Sequence, residues 1–123
     1  MNYYLPYPIS TNRYWRNYRG RTVRSKEANE YKSMVLVDSG LKSVKASLTL
    51  KPVSVTVILQ PKLTAKGVAS KTVMDLDNCL KVALDALQGI AYDNDKQIRR
   101  INAEYGVPRE GGGLVVQVQE MVQ

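Results

Sequence analysis

At 123 residues, 44% hydrophobic and 24% charged, the chain suits one compact domain over 1–123 and is too short for a multidomain machine. Eighteen Lys and Arg against eleven Asp and Glu leave a net charge of +7, so an anionic partner is expected, nucleic acid foremost. No apolar run exceeds four residues, as at Met34 to Val37, which excludes a membrane span or signal-peptide core and makes the cytoplasm the expected location.

In chain order, Tyr3 to Tyr7 reads as a short strand closed by Pro6 and Pro8, and Asn12 to Arg21 as an exposed basic, aromatic loop. A helix follows, with Ser25 as N-cap, Tyr31, Met34 and Val35 on its inner face and its end at Asp38 to Gly40. Pro52 opens a strand in which Val53, Val55, Val57 and Leu59 stand at alternate positions of a run rich in β-branched residues, the pattern of a half-buried strand. Gln60 to Val73 reads as a loop carrying Lys62, Lys66 and Lys71. A second helix runs from Asn78 to Gln88, its Leu80, Ala83, Leu84 and Leu87 at i, i+3, i+4, i+7 and Gly89 as its stop. Gln97 to Tyr105 and Leu114 to Val118 are the last strands, expected to pair as a hairpin across Gly111 to Gly113. The fold class is therefore α+β, one domain of about four strands and two helices.

Two absences narrow the chemistry. There is no histidine, which removes imidazole bases, His-dependent triads and His-ligated zinc. The single cysteine, Cys79, can neither close an intrachain disulfide nor build a thiolate cage, and reads as a small buried apolar residue. An enzyme of this composition works with oxygen ligands and a hard metal.

The charges are segregated. Met1 to Lys26 holds Arg13, Arg16, Arg19, Arg21, Arg24 and Lys26 with no acid, whereas Asp75 to Asp95 holds Asp75, Asp77, Asp85, Asp93 and Asp95 against Lys81 alone. Clustered carboxylates repel both one another and a polyanion unless a cation sits among them. Tyr14, Trp15 and Tyr18 are interleaved with Arg13, Arg16 and Arg19. Arginines that hold phosphates beside rings that stack on splayed bases suit distorted or branched DNA, with Asn12, Arg21, Lys66 and Lys71 as further contacts; the alternative is a solvated face.

The main constellation is Asp75-Leu-Asp77-Asn78, then Lys81, then Asp93-Asn-Asp95. In an extended stretch i and i+2 project to one side, so Asp75 and Asp77 are expected just before the helix, with Asp77 at its N-cap or in its first turn. A helix of 11 residues is about 16 Å long and the seven residues Gly89 to Asp95 span up to about 23 Å, so Asp95 can return to the same end. Three converging carboxylates would bind one or two Mg²⁺ or Mn²⁺ ions for phosphodiester hydrolysis. The plainer alternatives are a cap plus a solvated acid for Asp75 and Asp77, an Asx turn for Asp93 to Asp95, and a surface pair of Lys81 with Asp77 or Asp85.

The run Asp75-Leu-Asp-Asn-Cys-Leu-Lys-Val-Ala-Leu-Asp-Ala-Leu87, with Gly89 and Tyr92-Asp-Asn-Asp-Lys-Gln-Ile98, resembles the signature of the RusA family of Holliday-junction resolvases. Pro8-Ile-Ser-Thr-Asn-Arg-Tyr-Trp-Arg16 and Arg19-Gly-Arg-Thr22 resemble that family's N-terminal segment. The resemblance implies a mixed sheet with two helices. It further implies a homodimeric bacterial or prophage endonuclease that nicks four-way DNA junctions symmetrically with Mg²⁺ or Mn²⁺ and needs no nucleotide cofactor. By the same resemblance Asp75, Asp77 and Asp95 match the metal-site aspartates, Lys81 the essential lysine, and Asn78 supports the site or touches phosphate. Many members carry Asp-Asp where this chain has Asn94-Asp95, which leaves Asp93 as a rival ligand, and Thr72-Val73-Met74 replaces a basic run. A non-catalytic branched-DNA binding protein is the competing reading.

Overall fold

A computed structural model describes residues 1–38 and 48–122. In chain order the elements are β1 (Asn2–Leu5), α1 (Thr11–Tyr14), β2 (Trp15–Tyr18), β3 (Arg21–Arg24), α2 (Lys26–Asp38), β4 (Val53–Gln60), α3 (Leu76–Leu87), a 3₁₀ turn (Asp95–Gln97), β5 (Ile98–Tyr105) and β6 (Gly113–Glu120). They form an α+β domain around a mixed four-stranded sheet of order β1-β6-β4-β5, with β2 and β3 as a separate two-stranded sheet.

The alternation in β4 sets the core. Val53, Val55, Val57 and Leu59 are fully buried, and Val116, Val118 and Leu114 of β6 and Tyr3 and Leu5 of β1 lie in register on the same face. Helices α2 and α3 cover that face with Ala28, Tyr31 and Val35 and with Cys79, Val82, Ala83, Ala86 and Leu87. Burial pushes the Cys79 thiol up to about 12, in keeping with its expected role as a core residue.

Several sequence expectations are corrected. β5 and β6 do not pair as a hairpin: β4 lies between them, parallel to β5 and antiparallel to β6. The connection crosses the end of β4, with backbone bonds from Gly106 to Leu59 and from Arg109 to Pro61 at 2.8 and 2.9 Å. Gly112 is required in that crossing: at φ +69° a Cβ there would meet the Tyr7 ring at 2.6 Å and Lys62 at 2.9 Å. Because β4 and β6 are both interior strands, neither offers a free edge to a second copy; the sheet edges are β1 and β5.

The stretch Asn12 to Arg21 is not a loop but the turn α1 followed by a hairpin, in which Tyr18 pairs with Arg21 around Arg19 (φ +51°) and Gly20 (φ +73°). Two consecutive left-handed residues match the twist of the strands they join. Ser25 caps α2 as expected, accepting from the Ala28 amide at 3.1 Å, but Met34 is exposed rather than internal. The expected stop at Gly40 lies outside the described residues. Helix α3 starts at Leu76, two residues earlier than expected, and its buried stripe is displaced by one residue, which leaves Leu80 and Leu84 at the margin of the core. Gly89, at φ +86°, follows the helix end.

A polar network ties the hairpin to α3. Asp85 accepts from Arg24 Nε at 2.7 Å, from Arg24 Nη2 at 2.8 Å and from the Tyr14 hydroxyl. Lys32 of α2 donates to the Asp85 carbonyl at 2.6 Å and to that of Gln88 at 3.3 Å, placing a cation at the helix C-terminus. Burial alone would raise the Asp85 pKa, but the bonds from Arg24 and Tyr14 outweigh it and hold the carboxyl below its ordinary range. A depressed folded pKa gives stability that is present above the unfolded value and lost as pH falls through the folded one. Asp85→Asn is therefore expected to cost about 2 kcal/mol at pH 7, less than a fully buried pair because Arg24 is partly exposed. In urea titrations the gap to wild type should narrow below about pH 4; a gap independent of pH would contradict the network.

Candidate active site and nucleic-acid interface

The acids gather at the start of α3. Asp75 is the N-cap residue, with extended backbone (φ −64°, ψ 146°), yet its side chain makes no capping hydrogen bond; Asp77 lies in the first turn. Asp77 thus lies in the first turn as expected, and the helix starts early enough that Asp75 is its N-cap residue. Asp75, Asp77 and Asp95 are exposed, and none of the three carboxylates is held by an ion pair among the described residues, where the pairs are Arg13–Glu27 and Arg24–Asp85. Lys81 is likewise exposed and outside those pairs, so the surface pairing with Asp77 or Asp85 is not formed.

Two tyrosines fix the residue before Asp75. The Met74 amide donates to the Tyr7 hydroxyl at 3.0 Å, and the Tyr105 hydroxyl donates to the Met74 carbonyl at 2.9 Å. The loop before α3 is thereby pinned to the segment after β1 and to the end of β5. Asn78, in the first turn beside Asp77, accepts from the Thr11 hydroxyl at 3.0 Å, which joins α3 to α1.

Asp95 is placed by a tight turn. Asn94 accepts from the Lys96 amide at 2.9 Å, while Gln97 accepts from the Asp93 and Asn94 amides, both at 2.8 Å, and donates to the carbonyls of Thr49 and Lys51, both at 2.9 Å. Asn94 is consumed in capping, which leaves the Asp95 side chain free to face α3. Asp95 lines a cavity of about 400 Å³ together with Lys81, Leu84, Asp85, Gln88 and Trp15; Asp93 does not. Asp75 and Asn78 line a second cavity of about 710 Å³ with Lys62 and Arg13. The second cavity borders the N-terminus of α3, and the first runs along its C-terminal half.

The expected convergence of three carboxylates is corrected accordingly: among the described residues no three His, Cys, Asp or Glu side chains stand close enough to share a metal ion. Like charges repel, and no hydrogen bond in the fold draws these three rotamers together. The donor chemistry nonetheless fits Mg²⁺, which takes one or two carboxylates plus waters and substrate phosphates rather than a closed protein cage.

The basic hairpin flanks this site, and only part of its charge is free. Arg24 is committed to Asp85 and Arg13 to Glu27. Arg16 and Arg19 lie over the Tyr18 ring at 5.3 and 5.2 Å, and Asn12 and Arg21 are exposed, as are Lys66 and Lys71 on the loop that precedes α3. Tyr14, expected among the base-stacking residues, is instead fully buried, with its hydroxyl on Asp85 and its ring edge-on to Trp15 at 4.9 Å; burial raises its pKa well above the ordinary tyrosine value. Sequence reasoning missed the Asp85 network and the tyrosine clamp. Asp85 stood in the motif, but its partner is 61 residues away.

An acid-bearing helix terminus beside a basic two-stranded arm defines the class of protein: an enzyme built to act on a polyanion. The sequence matches the family described as Endodeoxyribonuclease RusA over residues 6–119, and the chain belongs to that family. It is 30% identical over 122 residues, 95% of this chain and 92% of the relative, to the Crossover junction endodeoxyribonuclease rusA of Enterobacteria phage HK97. Among the described residues no helix is long and apolar enough to cross a membrane.

The clamp generates a prediction. Phenylalanine at both tyrosines keeps the rings, including the one Lys62 covers at 4.8 Å, and removes only the hydroxyls. The Tyr7→Phe/Tyr105→Phe double variant is expected to lose about tenfold in single-turnover DNA cleavage through misplacement of Asp75, with DNA affinity unchanged. Equal loss in affinity and turnover would contradict a positioning role.

Proposed function

We propose that the protein is a metal-dependent Holliday-junction resolvase that works as a homodimer, making paired symmetric nicks in four-way DNA in a bacterial or prophage-carrying cell. The observation that carries this reading is the placement of Lys81 and Asp95, from separate motifs, in one cavity on the helix whose N-terminus bears Asp75 and Asp77, beneath an Arg- and Trp-bearing hairpin. The name of the phage relative supports the substrate. The uncommitted state of the acids supports the metal: Asp75 occupies a capping position without capping.

In this reading Asp75 and Asp77 would hold Mg²⁺ or Mn²⁺ at the helix N-terminus, with Asp95, which lines the neighbouring cavity, joining them only when the ion is bound; the ion would supply Lewis-acid charge at the scissile phosphate and lower the pKa of a water. Lys81, four residues beyond Asp77 and so on the same helix stripe, offers its ammonium to the negative charge that builds on the phosphate. Asn78, fixed by Thr11, backs the acids. Arg16, Arg19, Arg21, Lys66 and Lys71 hold flanking phosphates, Asn12 adds a polar contact, Arg13 exchanges Glu27 for phosphate, and Trp15 stacks on a base. Two copies match the two equivalent strands of a junction. With no histidine in the chain, any proton would be carried by a carboxylate, Lys, Tyr or water.

The test is a synthetic four-way junction incubated with wild type, Asp75→Asn and Lys81→Met, with and without Mg²⁺ or Mn²⁺. Wild type is expected to nick two opposed strands only with metal; both variants should bind the junction and lose at least about 10²-fold in cleavage. Binding without nicking by wild type in every divalent metal would favour the binding-protein reading. Arg16→Ala is expected to weaken binding and reduce the slope of log affinity against log salt by about one phosphate's worth. An unchanged slope would place that arginine away from DNA.

A further inference from the structure

The cavity between the hairpin and α3 has a lining that the proposed chemistry does not use in full. Lys81, Leu84, Asp85 and Gln88 fall at i, i+3, i+4 and i+7 on one stripe of α3, and Trp15 faces them from β2. Leu84 was expected in the core; it is instead an apolar surface beside a lysine and two carboxylates.

Size and chemistry together narrow what enters. About 400 Å³ is in the range of a small-molecule site. A phosphate at the Gln88 end is disfavoured by the ionised Asp85 carboxylate. A neutral, flat, donor-bearing group is favoured: Trp15 and Leu84 offer apolar surface to a ring, and Asp85 and the Gln88 amide offer acceptors to its edge. Asp85 is a rigid acceptor. Its Oδ2 takes Tyr14 and Arg24 Nε, its Oδ1 takes Arg24 Nη2 alone, and one acceptor site on Oδ1 remains. Trp15 also borders a second cavity of about 400 Å³ with Asn12, Arg16 and Asn17, whose charge suits backbone phosphate.

We infer that the cavity formed by Trp15, Leu84, Asp85 and Gln88 is a nucleobase subsite that takes one unstacked base, while Lys81 and Arg16 meet the phosphates on either side of it. The inference rests on the endonuclease reading above and adds which part of the nucleotide enters and which residues receive it. Extracting a base is least costly where stacking is already interrupted, as at a branch point, so the subsite couples junction geometry to placement of the phosphate at Lys81.

An abasic scan tests this. Junctions with a single abasic nucleotide at successive positions around the crossover are titrated in EDTA with wild type, Trp15→Ala and Trp15→Phe, each checked for folding by circular dichroism. On the intact junction Trp15→Ala is expected to bind about tenfold more weakly, within the roughly 5- to 150-fold range of one base stacked on one aromatic ring, and Trp15→Phe to recover most of the loss. At one scan position the ratio between wild type and Trp15→Ala should fall to about one, and the nick mapped on the intact junction in Mg²⁺ should lie beside that position. A ratio that is constant across the scan, or no loss on the intact junction, overturns the subsite. Coupling at one position with no nicking in any divalent metal keeps the subsite and removes the enzyme reading.

Discussion

Helix α3 has to satisfy two surroundings at once, and the molecule is arranged around that demand. One stripe, Cys79, Val82, Ala83, Ala86 and Leu87, is buried against the sheet. The neighbouring stripe, Lys81, Leu84, Asp85 and Gln88, faces a cavity, and the N-terminus carries Asp75 and Asp77. Because the buried stripe packs into the core, the helix is held against rotation, and the neighbouring stripe stays on the outward side. Asp85 sits at the seam. By binding Tyr14 and Arg24 it fastens the basic hairpin to the acid-bearing helix.

The electrostatics follow from the same arrangement. The segment before residue 27 looks uniformly basic in sequence, but in three dimensions Arg24 and Arg13 are spent on Asp85 and Glu27. Arg16, Arg19 and Arg21 are exposed and outside those ion pairs, on the same molecule as the exposed carboxylates Asp75, Asp77 and Asp95, which would repel a polyanion. A divalent cation bound by those carboxylates would remove the conflict, and carboxylate oxygens would favour a hard ion.

How much of this was legible in the sequence depends on the range of the interactions involved. The alternation of Val53, Val55, Val57 and Leu59 revealed β4 because a half-buried strand writes its burial into period two. The acid motif and Lys81 were legible because short spacings decide which residues share a helix stripe. The hairpin was not, since β2 and β3 are largely exposed and carry no apolar alternation; its only local sign was Gly20 between β-forming residues. The false β5–β6 hairpin arose because a Gly-rich turn signals a reversal but not the strand that intervenes. Tyr14 was misread because nothing nearby in sequence distinguishes a ring that stacks on bases from one whose hydroxyl bonds an aspartate on a distant helix. Convergence of Asp95 with Asp75 was judged from chain reach, which limits what is possible without fixing which side of the helix the chain returns to.

The account stands on the helix terminus binding a divalent ion through its unpaired acids. Mn²⁺ bound to the protein on an uncleavable junction, counted by electron paramagnetic resonance, measures this without relying on turnover. The account predicts bound Mn²⁺ for wild type, loss of it for Asp75→Asn and Asp77→Asn, and retention for Asp93→Asn. Bound Mn²⁺ unchanged in Asp75→Asn and Asp77→Asn would contradict it.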